Sequence, residues 1–190
     1  MLIRTMLMSF LVFLACSSSV FADSDSDALD DKNALKAFMV SDVVSDIHNS
    51  AYAYAIFPSI GKGGIGIGGA YGNGRVYIGD KKMGDVSMTQ LSIGLQLGGQ
   101  AYRQVIYFED KRAFDEFTSG NFEFGAQAEA IAITSSASAS AGSEGTSASA
   151  NATQSETKYH KGMIVFTMGK GGLMYQATLG GQKYAYTPAK

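Results

Sequence analysis

The sequence predicts an α+β fold in which a curved, barrel-like antiparallel sheet carries one or two N-terminal helices and one short inserted helix. The chain of 190 residues is 46% hydrophobic and contains 23 glycines, two prolines and no tryptophan, a composition that favours strands with tight turns. Apolar and small residues alternate with period two in several runs, as in half-buried strands. Two short segments show helical spacing instead. A chain of this length suits one domain.

The first 22 residues have the features of a secretory signal peptide. Arg4 supplies a positive charge, and residues 6–15 form an apolar run that is too short to span a bilayer. We expect cleavage before Asp23, which would leave a chain without cysteine, as suits an oxidising compartment. The alternative is a lipoprotein in which Cys16 is lipidated. Either route predicts an exported bacterial protein that is periplasmic or associated with the outer membrane.

Residues 23–33 predict a flexible acidic leader, and residues 34–188 predict the folded domain. Apolar residues then recur every four positions, which indicates a helix, and Ser41 is placed to begin a second one. Acidic residues outnumber basic ones around this segment, whereas a helix that lies on a membrane usually carries lysine and arginine. We therefore expect the helical region to pack on the sheet. The recurring positions are Leu35, Met39, Val43 and Ile47.

A glycine-rich stretch, residues 52–79, is predicted to start the sheet. Residues 64–68 alternate glycine with isoleucine, and period-two glycines leave one face of a strand bare, which suits a sharply curved sheet or the close approach of another backbone. Gly72-Asn73-Gly74 stands between two alternating runs. Because Asn-Gly tolerates the positive φ angles of a tight turn, it predicts a β-hairpin there.

Two further strands and the inserted helix follow. An alternating run from residue 90 predicts a half-buried strand with a small, uncharged polar face, and residues 105–108 predict a central strand. Asp110 is placed to begin a short helix that Gly120 ends. The apolar face of the alternating strand is formed by Leu91, Ile93, Leu95 and Leu97.

Residues 134–155 are rich in serine and alanine and predict either a long hairpin or a loop. The two residues alternate on both sides of a glycine-containing centre, which favours the hairpin, but small side chains specify strand register weakly. Residues 157–168, 173–179 and 182–187 predict three more strands.

No pattern in the chain indicates catalysis, a cofactor or a bound metal. The Gly-x-Gly-x-x-Gly spacings within residues 61–69 lead into strands, so they lack the helix N-terminus that would hold a pyrophosphate. His48 and His160 are the only histidines and are too few for a metal site. The formal net charge of −2 gives no expectation of nucleic-acid binding. We therefore expect a protein that is not an enzyme.

Basic residues beside glycines and tyrosines form the candidate lipid-binding site. Residues 61–65 and 169–173 repeat the order Gly-Lys-Gly-Gly-apolar, and the next basic residue follows at the same offset. This echo is either an old duplication or the reuse of common turn residues. Lysine and arginine contact lipid phosphates, and tyrosine rings lie at headgroup level, although solvated strands carry the same residues. The candidates are Lys62, Arg75, Lys170 and Lys183.

From about residue 34 to residue 186 the chain resembles the SYLF lipid-binding domain family. The resemblance rests on ordered motifs with similar spacing: Ala55-Ile56-Phe57-Pro58, the glycine run 63–69, Gly72-x-Gly74, residues 95–100 and 105–108, Ala113-Phe114-x-x-Phe117, Lys161-Gly162-Met163, and residues 173–179. It implies a non-catalytic α+β domain with a curved sheet, whose bacterial members are secreted or lipidated envelope proteins. The family's eukaryotic members are associated with membranes through a basic N-terminal segment, and here that segment is acidic.

Together these features predict an exported envelope protein that binds anionic phospholipid or lies on a membrane surface through basic glycine-rich turns. The protein partner is left open. Two alternatives are a small outer-membrane β-barrel, which export and alternating strands also suit, and a structural protein that self-associates through exposed strand edges.

Overall fold

The computed structural model describes residues 20–94, 100–124, 132–134, 159–170 and 181–190. Several predictions therefore lie outside the described residues. They concern the signal segment up to residue 19 with Cys16, the strand at 95–97, nearly all of the Ser/Ala-rich segment 134–155, and the strand at 173–179.

The described chain forms three helices and one seven-stranded sheet, which confirms the predicted α+β class with a curved sheet, N-terminal helices and a short inserted helix. The strand order is β4-β7-β2-β1-β3-β6-β5, with every pair antiparallel except the parallel pair of β5 and β6. The elements in chain order are α1 (Val20–Phe38), α2 (Asp42–Ser50), β1 (Ala53–Ile78), β2 (Lys81–Gly94), β3 (Gln100–Phe108), α3 (Lys111–Phe117), β4 (Asn121–Glu123), β5 (Ala132–Thr134), β6 (Met163–Gly169) and β7 (Gln182–Pro188).

Strand β1 organises the sheet because it is long and doubles back. Its N-terminal half, residues 53–62, pairs with β3, and its C-terminal half, residues 66–78, pairs with β2. The chain reverses between Ile60 and Gly72, since a Cβ atom on Gly72 would lie only 2.6 Å from Cγ1 of Ile60. The close approach of another backbone, which the sequence predicts for the alternating glycines at 64–68, is thus seen at Gly72.

The predicted hairpin turn at Gly72-Asn73-Gly74 is wrong. These residues lie inside β1 and pair with β2, and the turn to β2 comes later, with Gly79 at φ +56°. The glycines at 72 and 74 are needed for space, because the N-terminal half of β1 passes directly over them.

Two apolar cores form on the two faces of the sheet. On the inner face, residues such as Phe57, Met88 and Ile106 pack with Phe117 of α3. On the outer face, α1 and α2 cover the N-terminal half of β1 together with β3 and β6, where Phe38 packs with Tyr107 and its neighbours. The helices thus pack on the sheet, as the sequence indicated.

The N-terminal helices differ from the prediction in extent and phase. Residues 23–33, expected to be a flexible leader, lie within α1, and Asp31 is buried. Ala34, Phe38 and Val44 form the buried positions, and Val43 is 42% exposed, because the break before α2 shifts the helical phase. In contrast, α3 begins as predicted, since Asp110 accepts a hydrogen bond from the backbone N–H of Ala113 at 2.8 Å.

Candidate functional site

A shallow groove of about 430 Å³ lies on the outer face of the sheet where β1 turns back on itself. Its floor is bare because Gly61 and Gly69 carry no side chains, and a Cβ on Gly61 would meet nothing within 4 Å. We call this depression the glycine groove. Its lining residues are Gly61, Gly69, Ala70, Tyr71, Thr89, Gln90, Leu91, Gly181 and Lys183.

Two exposed apolar side chains border the glycine groove. Leu91 is 85% exposed and Tyr71 is 55% exposed, and the Tyr71 hydroxyl donates to Oδ1 of Asn73 at 2.7 Å. Most of the Leu91 surface and about half of the Tyr71 surface therefore stay outside the core. They therefore give the groove an apolar border that faces outward.

Two of the four predicted lipid-binding residues flank the groove. Lys183 lines it directly, and its ammonium group lies 3.5 Å from the Glu123 carboxylate, with both side chains about half exposed or more. On the other side, the exposed Lys170 donates its backbone N–H to Ala101, which pairs with Gly61.

Lys62 does not lie at an exposed turn. It belongs to β1, shares the inward strand parity of Ile60, and is only 9% exposed. The inner face of the sheet at this end is polar. Gln104 and Gln182 are fully buried there, and the Gln104 amide donates to the Tyr184 hydroxyl at 2.6 Å. Burial raises the pKa of Tyr184, so its hydroxyl stays protonated as part of this hydrogen-bonded layer.

Arg75 forms a buried ion pair. Its side chain is 6% exposed, and the guanidinium binds both carboxylate oxygens of Asp31, with an Nε–Oδ2 distance of 2.6 Å. Asp27 contributes its carboxylate at 3.4 Å, and Tyr77 donates to Asp31 at 2.7 Å. Burial alone would lower the pKa of Arg75, but hydrogen bonding and charge from Asp31 raise it overall. Arg75 therefore fastens α1 to the sheet and is not available to a lipid.

The two copies of the repeated Gly-Lys-Gly-Gly sequence have different environments. Lys62 is buried and Lys170 is exposed. Arg75 is enclosed by α1, whereas Lys183 stands at the groove. The matched sequence offsets therefore do not produce matched sites.

The predicted burial of Leu91 is wrong, and the residue is the main feature that sequence reasoning missed. The opposite parity of β2 points inward, because Gln90, which is 6% exposed, joins the buried polar layer by accepting from Gln182 at 3.5 Å. An alternating strand buries its apolar side only when the core beside it is apolar. The lack of any charge on the Gln90 face was the one signal that this face could be buried.

The two histidines have different surroundings. His48 packs edge-on against Tyr107 with ring centroids 5.7 Å apart, and burial lowers its pKa despite the opposing charge of Asp80. His160 is exposed. Within the described ranges, acidic, histidine and cysteine side chains form no group of three that could hold a metal ion. No helix in the same ranges is long and apolar enough to cross a bilayer.

Comparisons with known proteins identify relatives of the chain. It is 29% identical over 140 residues to beta cell expansion factor A of Aeromonas veronii, an alignment that covers 73% of this chain and 47% of that protein. The chain thus spans about half the length of this curated relative. A family model described as Ysc84, Las17-binding protein actin regulator, matches residues 89–187, which include β2 from the groove residue Thr89 onward and β7 except its last residue, Pro188. This match over half of the chain shows that the protein belongs to the Ysc84, or SYLF, family.

Proposed function

We propose that the protein is a non-catalytic, exported envelope protein that binds anionic lipid at a membrane surface through the glycine groove and its borders. The observation that carries this proposal is Leu91, which is 85% exposed beside the half-exposed Tyr71. Exposed apolar patches of this kind mark interaction sites. A membrane provides a partner that takes both the leucine and the amphipathic tyrosine ring.

The charges around the groove favour an anionic surface over a neutral one. Lys170 and Lys183 stand on its two sides, and each lysine near an anionic leaflet contributes about 1 kcal/mol. The chain as a whole carries a formal charge of −2, so the attraction is local. It should weaken with salt, because the Debye length is only about 10 Å at 0.1 M.

Self-association through strand edges has less support. The two edge strands of the described sheet, β4 and β5, have three residues each. Short edges offer few unpaired backbone groups to a second copy. The exposed side chains at the groove therefore support the lipid proposal better than the sheet edges support assembly.

Vesicle co-sedimentation of the exported, processed protein tests the proposal. We expect binding to phosphatidylglycerol-containing vesicles that weakens with salt, and little binding to phosphatidylcholine vesicles. The variant Leu91→Ser should bind about tenfold more weakly, since burying a leucine contributes about 1.5–3 kcal/mol and 1.4 kcal/mol is tenfold. The double variant Lys170→Gln with Lys183→Gln should lose most of the salt-sensitive part of vesicle binding.

The matched control is Lys36→Gln with Lys81→Gln, which removes two exposed lysines that do not line the groove. It should leave vesicle binding nearly unchanged. Equal losses in both lysine pairs would show a non-specific charge effect, and indifference to every vesicle would remove the lipid proposal.

Export and processing are a separate part of the proposal and need a separate measurement. Cell fractionation with intact-mass analysis would locate the protein and define its N-terminus. A mass that begins at Asp23 supports signal cleavage, whereas an acylated N-terminal Cys16 supports a lipoprotein. An unprocessed chain in the cytoplasm would contradict both.

A further inference from the structure

The glycine groove has the shape of a site for one extended apolar chain. Its floor is backbone, because Gly61 and Gly69 lack side chains, and its walls include Tyr71 and Leu91. A volume of about 430 Å³ falls in the range of roughly 300–1,000 Å³ that small-molecule sites show. The groove is shallow and open to solvent, so it would leave a bulky ring system partly exposed.

The charge at the groove determines where the head group of a ligand would lie. Lys183 is the one basic or acidic residue among the described residues that line the groove, and its contact with Glu123 is loose at 3.5 Å with both groups well exposed. An anionic group could replace Glu123 as the partner of Lys183 at small cost, since exposed ion pairs contribute little. A cationic or neutral head group would gain nothing from this lysine.

From this geometry we propose that the glycine groove binds a single acyl chain of an anionic amphiphile, with the charged head at Lys183 and the chain along Gly61 and Gly69. The proposal deepens the membrane-binding function above and rests on it. In this proposal the groove binds one lipid molecule, whereas Leu91 and the flanking lysines contact the membrane surface in general. A phospholipid with one chain in the groove would keep its second chain in the bilayer.

The test uses lyso-phosphatidylglycerol below its critical micelle concentration, measured by isothermal titration calorimetry on the processed protein. Affinity should rise with acyl chain length by up to about fourfold per methylene until the groove is filled, and lyso-phosphatidylcholine should bind more weakly. Lys183→Gln should remove the preference for the anionic head. Glu123→Gln should strengthen binding of the anionic probe only, because it removes the competing carboxylate.

Filling the groove gives the sharpest variant. Gly61→Leu places a side chain in open space, so it should fold normally and weaken probe binding by more than about tenfold, since each excluded methylene contributes about fourfold. Gly63→Leu is the matched control, because Gly63 also has nothing within 4 Å but does not line the groove. It should bind the probe like the unchanged protein.

The outcomes separate this inference from the proposed function. Vesicle binding without any binding of the soluble probe would overturn the groove assignment and leave the membrane function standing. Probe binding without vesicle binding would do the reverse. Affinity that ignores chain length, or equal losses in Gly61→Leu and Gly63→Leu, would also overturn the assignment.

Discussion

The outer face of the sheet has a covered region and an open region, and the same strand runs through both. Over the N-terminal half of β1, side chains as large as Ile56, Tyr107 and Phe166 are fully buried beneath α1 and α2. Farther along β1, the outward positions at Gly69 and Tyr71 have no helix over them, and the glycine groove remains open.

This difference shows how side-chain size decides which part of the sheet needs a helix. Bulky outward residues would expose a large apolar surface, so they are stable only under a cover. A strand face made mainly of glycine and threonine has less apolar area to hide, although it leaves Tyr71 and Leu91 exposed. Arg75 stands at the boundary, because α1 encloses it through Asp27 and Asp31, whereas Tyr71, earlier on the same face of β1, is exposed.

The largest expected effect comes from breaking that boundary. Arg75→Met leaves the buried Asp31 carboxylate without its cation, and such a loss typically costs about 3–5 kcal/mol of unfolding free energy. Chemical denaturation would measure it. The double variant Arg75→Met with Asp31→Leu should recover much of the stability, because no buried charge remains.

The exposed pair of Lys82 and Asp85, 2.8 Å apart, supplies the control for this prediction. Lys82→Met should change the unfolding free energy by about 1 kcal/mol or less, as exposed ion pairs do. If Arg75→Met were equally mild, the ion pair would not be what holds α1 on the sheet.

Two glycines on β1 sharpen the comparison with an intermediate effect. A Cβ on Gly74 would lie 2.7 Å from Cδ1 of Phe57 and closer still to the Ile56 carbonyl oxygen. Gly74→Ala should therefore cost about 1–3 kcal/mol through overpacking. Gly61→Ala has open space and should be neutral or slightly stabilising, because alanine reduces the entropy of the unfolded chain. Thermal unfolding of the two variants compares them directly, and similar shifts would contradict the distinction between crowded and open glycines.

The elements that the sequence predicted well depend on local patterns. The inserted helix α3 has its Asp110 cap within three residues of the group it binds, and the helix break at Ser41 is likewise local. The curvature at the glycine-rich stretch follows from bare strand faces. Each of these features can be recognised in a window of a few residues.

The errors arise where a distant partner decides the outcome. Arg75 is 44 positions from Asp31, so no local pattern distinguishes it from the exposed Lys183. Asn73-Gly74 has turn chemistry, but pairing with β2 and the crossing at Phe57 keep it extended. The alternation within β2 predicts that Leu91 is buried. The sequence of β2 alone gives no indication of the buried polar layer that Gln104 and Gln182 form on its other face. The groove was missed for the same reason, since Gly61 and Leu91 meet only after β1 folds back.

The smallest expected effect is a pH dependence in the covered region. Burial lowers the pKa of His48 below its ordinary 6.5, so the unfolded chain takes up the proton more readily than the folded protein. The contribution of His48 to the unfolding free energy is therefore fully present above pH 6.5, and this contribution decreases as the pH falls below that value. His48→Phe, which keeps the ring contacts with Tyr54 and Tyr107, should reduce the difference in urea midpoint between about pH 7.5 and about pH 5. An unchanged difference in urea midpoint in the His48→Phe variant would contradict this prediction.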